Sequence, residues 1–136
     1  MTREQLREMD AFLAEKVMGW KRATIATMEK YVLVPPGVPI GGNSLFIPVP
    51  EDMPPHENVM GTHYKSFCPT TDAADMLTLI ESARELGWWL RIENCGRYHA
   101  RVRHLPTQEV RNAVGESMPL AVSKAIARAF GWKGEA

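Results

Sequence analysis

The sequence predicts an α+β fold, three helices set around a small, mostly antiparallel sheet that ends in a C-terminal hairpin. Three observations carry this. Apolar residues recur at steps of three or four in three segments, each opened by a hydroxyl or acidic cap and closed by a glycine. A proline-rich tract separates the first two segments and excludes a long helix between them. Residues 88–104 alternate apolar with basic side chains at period two, the signature of a half-buried hairpin.

The first helix is expected over 2–19. Thr2 caps it and Gln5 completes a capping box. Leu6, Met9, Leu13, Val17 and Trp20 form one stripe, and Gly19 supplies a left-handed stop. Arg3, Arg7, Glu8, Glu15 and Lys16 lie on the opposite, solvated side.

Residues 22–69 read as a Pro/Gly-rich irregular insertion. Eight of the ten prolines fall between Pro35 and Pro69. Two short strands are expected there, at 31–34 and 45–47, with Pro48 holding the second at an edge or an end. The stretch LFIPVPEDMPP is pre-stiffened and offers an extended strip to a partner, or packs back onto its own sheet.

The second helix is expected over 71–86, capped by Thr71 or Asp72 and ended by Gly87. Its apolar face is Met76, Leu77, Ile80, Ala83 and Leu86. In the hairpin that follows, a three-residue loop at Asn94-Cys95-Gly96 keeps apolar positions together, whereas a two-residue loop would mix the faces. That register sets Glu93 opposite Arg97, Arg91 opposite His99 and Trp89 opposite Arg101. The last helix runs from 118 to 130, with Ser117 as cap, Pro119 in its first turn and Gly131 as stop. Its inner face is the small-residued Met118, Ala121, Val122, Ala125 and Ala129.

Three of these segments are similar to motifs of the phage ABA sandwich family of small phage and prophage proteins. They are AEKVMGW (14–20), the Thr70-Thr71-Asp72 step and SMPLAVSKAIARA (117–129). The resemblance implies a three-layer α/β/α-type sandwich and a phage-related origin. It implies no activity. The closing β-β-α run is similar to double-stranded-RNA-binding domains.

At 136 residues, one domain over 1–136 is expected. Sixteen basic and sixteen acidic residues balance, so the basic excess usual in a dedicated nucleic-acid binder is missing and self-association meets little repulsion. Two cysteines, no apolar leader and no long apolar run predict a cytoplasmic protein without a membrane span.

Chemistry is sparse. Cys68, in SFCPTTD just before a helix start, is the one candidate reactive thiol, because a helix N-terminus can stabilise a thiolate. FCPTT is similar to the peroxidatic loop of peroxiredoxins, but Lys65 and Thr62 stand where that loop needs a hydroxyl residue and a proline. His56, His63, Cys68, Cys95, His99 and His104 show no metal-ligand spacing. No catalytic residue, metal or cofactor is expected. The candidate interaction face is Trp89, Arg91, Arg97, His99, Arg101 and Arg103, basic residues interleaved with an aromatic. Two functions follow. One is a non-catalytic phage accessory protein that self-associates or binds a host or phage protein. The other is a nucleic-acid-binding protein that uses this face.

Overall fold

The computed structural model describes residues 1–60 and 66–134. The chain forms α1 (Arg3–Lys16), β1 (Lys21–Ile25), β2 (Tyr31–Val34), β3 (Phe46–Pro48), β4 (Pro55–Met60) and α2 (Ala73–Glu85). It continues with β5 (Trp88–Asn94), β6 (Tyr98–His104), β7 (Val110–Gly115) and α3 (Met118–Ala129). This is the expected α+β class, with three helices and mostly antiparallel pairing.

The strands make two sheets. One has the order β3-β1-β2-β4, antiparallel except for the β2–β4 pair. The proline-rich tract therefore holds four strands where two were expected. Each is three to six residues long, and the two prolines within them, Pro48 and Pro55, stand at strand ends, where a missing N–H costs least. Phe46–Pro48 is an edge strand, so this part of the extended strip packs onto β1. Tyr31 and Leu33 point into the main core, while Val32 and Val34 join Ala23 and Phe46 in a satellite cluster.

The second sheet is β5-β6-β7, antiparallel throughout. α3 lies across β6 and β7, α2 lies beside β5, and α1 and α2 both pack on α3. The helices thus cover one face of this sheet. Gly115 lets α3 come close: a Cβ there would sit 2.7 Å from the Ala121 backbone nitrogen.

The caps fall where the sequence puts them. Thr2 and Gln5 form the capping box, Asp72 caps α2 through the Ala74 N–H, and Ser117 caps α3 through the Leu120 N–H. Gly19, Gly87 and Gly131 all adopt positive φ just past a helix. One helix face differs. On α2 the buried positions are Asp75, Met76, Leu79 and Ala83, and Leu77 and Leu86 are exposed. On this inward side the Asp75 carboxylate accepts a hydrogen bond from the Cys68 N–H at 2.9 Å.

The hairpin register differs by two residues from the expected one. The rungs are Trp89–Arg103, Arg91–Arg101 and Glu93–His99 on one face, with Leu90–Val102 and Ile92–Ala100 on the other. The loop is Cys95-Gly96-Arg97, with Gly96 at φ 82° and the Cys95 N–H bonded to the Arg97 carbonyl. A shift of two leaves every side chain on its expected face, since the pleat has period two. It changes only the partners, and it moves Arg97 from the strand into the turn.

Candidate functional site

The second face of β5-β6-β7 has no helix over it among the described residues. Trp89, Arg91, His99, Arg101 and Arg103 are all exposed on it, and Trp89 retains 48% of its accessible surface. Five of the six predicted face residues therefore share one surface. Arg97 does not, and its charge is instead felt by Lys124 of α3.

Neighbouring groups shape this face. Arg91 and Arg101 are direct cross-strand partners, a placement that costs free energy between like charges unless something offsets it. Two partial offsets are present: Arg91 lies 3.2 Å from Glu93, and the Arg101 Nε donates to the Asn112 Oδ1 at 2.9 Å. The predicted Glu93–Arg97 and Trp89–Arg101 pairs are replaced by Glu93–Arg91 and by Arg84. The Arg84 guanidinium reaches from the last turn of α2 to 4.7 Å from the Trp89 ring centre.

Two hollows adjoin on the face and share Arg91 and Arg101. One, of about 310 Å³, is lined also by Trp89, Arg103 and Leu105. The other, of about 240 Å³, is lined also by Glu93, His99, Asn112 and Val114. Sequence reasoning missed Arg84, Leu105, Asn112 and Val114. The first is brought there by the turn after α2, and the last two belong to the unpredicted β7. Val110-Arg111-Asn112-Ala113-Val114 does not alternate apolar with polar residues, so it gave no strand signal.

The outer edge of this sheet is closed by basic side chains. Arg111 donates to the Val110 carbonyl, Arg128 to the Asn112 carbonyl and Lys124 to the Val114 carbonyl, at 2.9, 2.6 and 3.2 Å. These alternate carbonyls are the ones an added strand would use, so β7 is a poor template for pairing with a second chain. Burial, together with the nearby Arg128 and Arg97, lowers the Lys124 pKa.

Cys68 sits in different surroundings. Its carbonyl accepts from the Thr71 and Asp72 N–H groups, and α2 begins only after the Asp72 cap. Burial raises the thiol pKa, and Asp10, Asp75 and Asp72 raise it further against the opposing effect of Arg7. The environment favours the thiol over the nucleophilic thiolate. The opening of α2 is thus a structural junction, and its chief group is one that sequence reasoning passed over. Asp10, 4% exposed, accepts from both the backbone N–H and the hydroxyl of Thr70, each at 3.0 Å. Burial pushes Asp10 up to about 6 against those two hydrogen bonds, and the Asp75 charge adds to the rise.

Among the described residues no three His, Cys, Asp or Glu side chains converge as a metal site, and His63 lies outside them. His99 is on the open face, whereas His104 stacks against Trp88 at 4.8 Å. A cleft of about 600 Å³ between α1 and β1–β2 is lined by charged side chains, with Arg22 paired to Glu15 at 3.0 Å and lying over Tyr31. Among the described residues no helix is long and apolar enough to cross a membrane. No family model, curated protein or solved structure matches the chain.

Proposed function

We propose that this chain is a non-catalytic nucleic-acid-binding protein whose working surface is the open face of β5-β6-β7. The observation that carries the proposal is an uncovered sheet face on which three arginines and a half-exposed tryptophan surround two adjoining hollows. Arginine matches phosphate in charge and in hydrogen-bond geometry, and an exposed indole can stack a base. Zero net charge over the whole chain does not weaken this, because local potential rather than total charge guides a polyanion to a surface.

The same observation favours this reading over self-association. A two-fold contact through this face would bring the patch of Arg91, Arg101 and Arg103 against an identical cationic patch. The basic side chains along β7 oppose pairing at the sheet edge. A phage-related origin and a cytoplasmic location are companion proposals, supported by the three motifs similar to the phage ABA sandwich family and by the cysteine usage.

The test is fluorescence anisotropy of labelled RNA and DNA against the protein across a salt series. Binding that weakens steeply with salt is expected. In an Arg91→Gln/Arg101→Gln variant the slope should fall by about 0.7 for each single-strand phosphate that is no longer neutralised. No binding at low salt, from a protein that is folded by circular dichroism, would refute the proposal.

A further inference from the structure

Resting on that reading, we infer that the open face takes an unpaired strand, with a base stacked on Trp89 and its phosphate held between Arg91 and Arg101. Three features point to a single strand. First, the surface is an uncovered sheet face with two shallow hollows. Three strands about 4.8 Å apart give a platform roughly 10 Å wide. Among the described residues no helix stands on this face to enter a duplex groove, and the β5–β6 hairpin is held within the sheet by β7. Secondly, the aromatic group is set up for stacking. Arg84 lies over one face of the Trp89 ring at 4.7 Å, and 48% of the residue remains accessible, so a base has the uncovered part of the ring to stack on. A duplex keeps its bases stacked on each other and has none to offer to that indole.

The third feature is the order of the rungs. Along the face they run Trp89–Arg103, Arg91–Arg101 and Glu93–His99, spaced about 6.6 Å apart by the strand rise. The apolar surface is at one end, the paired positive charge is central, and the single carboxylate is at the turn end. A phosphate between Arg91 and Arg101 relieves the like-charge pair. The Glu93 carboxylate repels the chain from the turn end and directs the attached base toward Trp89. Sharing of Arg91 and Arg101 by both hollows places the anion at their boundary.

The experiment compares wild type, Trp89→Ala, Trp89→Phe and Arg91→Gln/Arg101→Gln. The probes are a labelled single-stranded oligothymidylate, a mixed-sequence duplex of the same length, and unlabelled inorganic polyphosphate as competitor. Single strand is expected to bind at least about tenfold tighter than duplex. Trp89→Ala should lose roughly tenfold or more of single-strand affinity while Trp89→Phe, which keeps a ring, stays close to wild type. Equal affinity for duplex, or a Trp89→Ala variant that binds like wild type, would overturn the stacking inference. If the double arginine variant still loses binding in that case, the phosphate-reading function survives it. Polyphosphate that competes as well as unlabelled oligothymidylate would likewise overturn stacking. Absence of binding to every probe would remove both.

Discussion

Trp88 and Trp89 are neighbours in the chain and opposites in the fold. Trp88 is 7% exposed and packs between His104 and Phe130, at 4.8 and 6.0 Å, under the helices. Trp89 is 48% exposed and looks out with the arginines. One step along a pleated strand separates a residue that holds the sheet to α3 from one that holds nothing in place. The contrast runs through the whole sheet. Leu90, Ala100, Val102 and Ala113 serve burial, and Arg91, Arg101 and Arg103 are left for something else. Large apolar and cationic groups without a covering layer among the described residues, beside a well-packed face, are what the proposed ligand surface rests on.

The strongest way to break that contrast is Trp88→Ala. Loss of a buried indole is expected to cost about 3–5 kcal/mol, read as a lowered urea midpoint. A loss under about 1 kcal/mol would mean that the helix-covered face is not the principal core.

The closed side also holds a titration. The Asp10 pKa of about 6 stands above the 3.8 of the exposed group. Between those values the folded chain binds a proton that the unfolded chain has released, so this contribution is full below pH 3.8 and lost as pH rises through 6. The change amounts to about 3 kcal/mol. In Asp10→Asn the amide still accepts the Thr70 N–H and offers a donor to the hydroxyl. Wild type should therefore lose about 2 kcal/mol relative to Asp10→Asn between pH 4 and pH 7 in urea titrations. Parallel curves would show that Asp10 does not carry the proton.

A smaller loss is expected from Gly115→Ala. The new methyl meets the Ala121 backbone at 2.7 Å, and backbone yields less readily than a side chain. The cost should be about 1–3 kcal/mol in the thermal midpoint, with binding unchanged. The smallest effect belongs to the open face. Trp89→Ala should change stability by less than about 1 kcal/mol, chiefly the contact with Arg84. A loss as large as that of Trp88→Ala would collapse the distinction between the two faces.

Much of the fold was legible. Thr2, Asp72, Ser117 and the three stop glycines mark helix ends by local chemistry alone, and the alternation over 88–104 assigns the hairpin side chains other than Arg97 to their faces. The pairing partners were not legible, because registers two residues apart satisfy the same alternation. β1, β4 and β7 went unread because five or six residues carry too little pattern without their neighbours. Asp10 stands beside the apolar stripe of α1, where one polar residue resembles the edge of a solvated face. Only Thr70, sixty residues away, shows why it is inside.

By itself the sequence determined where the helices begin and end, which hairpin residues are apolar together, and that arginine and tryptophan share the other side. These are properties of near neighbours, set by capping, φ and the pleat. Tertiary structure alone decided that the arginine side has no helix over it among the described residues, that Arg84 joins Trp89, that Arg97 leaves the face, and that Cys68 lies among carboxylates. Each depends on segments distant in the chain that meet only when the core closes, and local periodicity carries no information about which face a distant helix will cover.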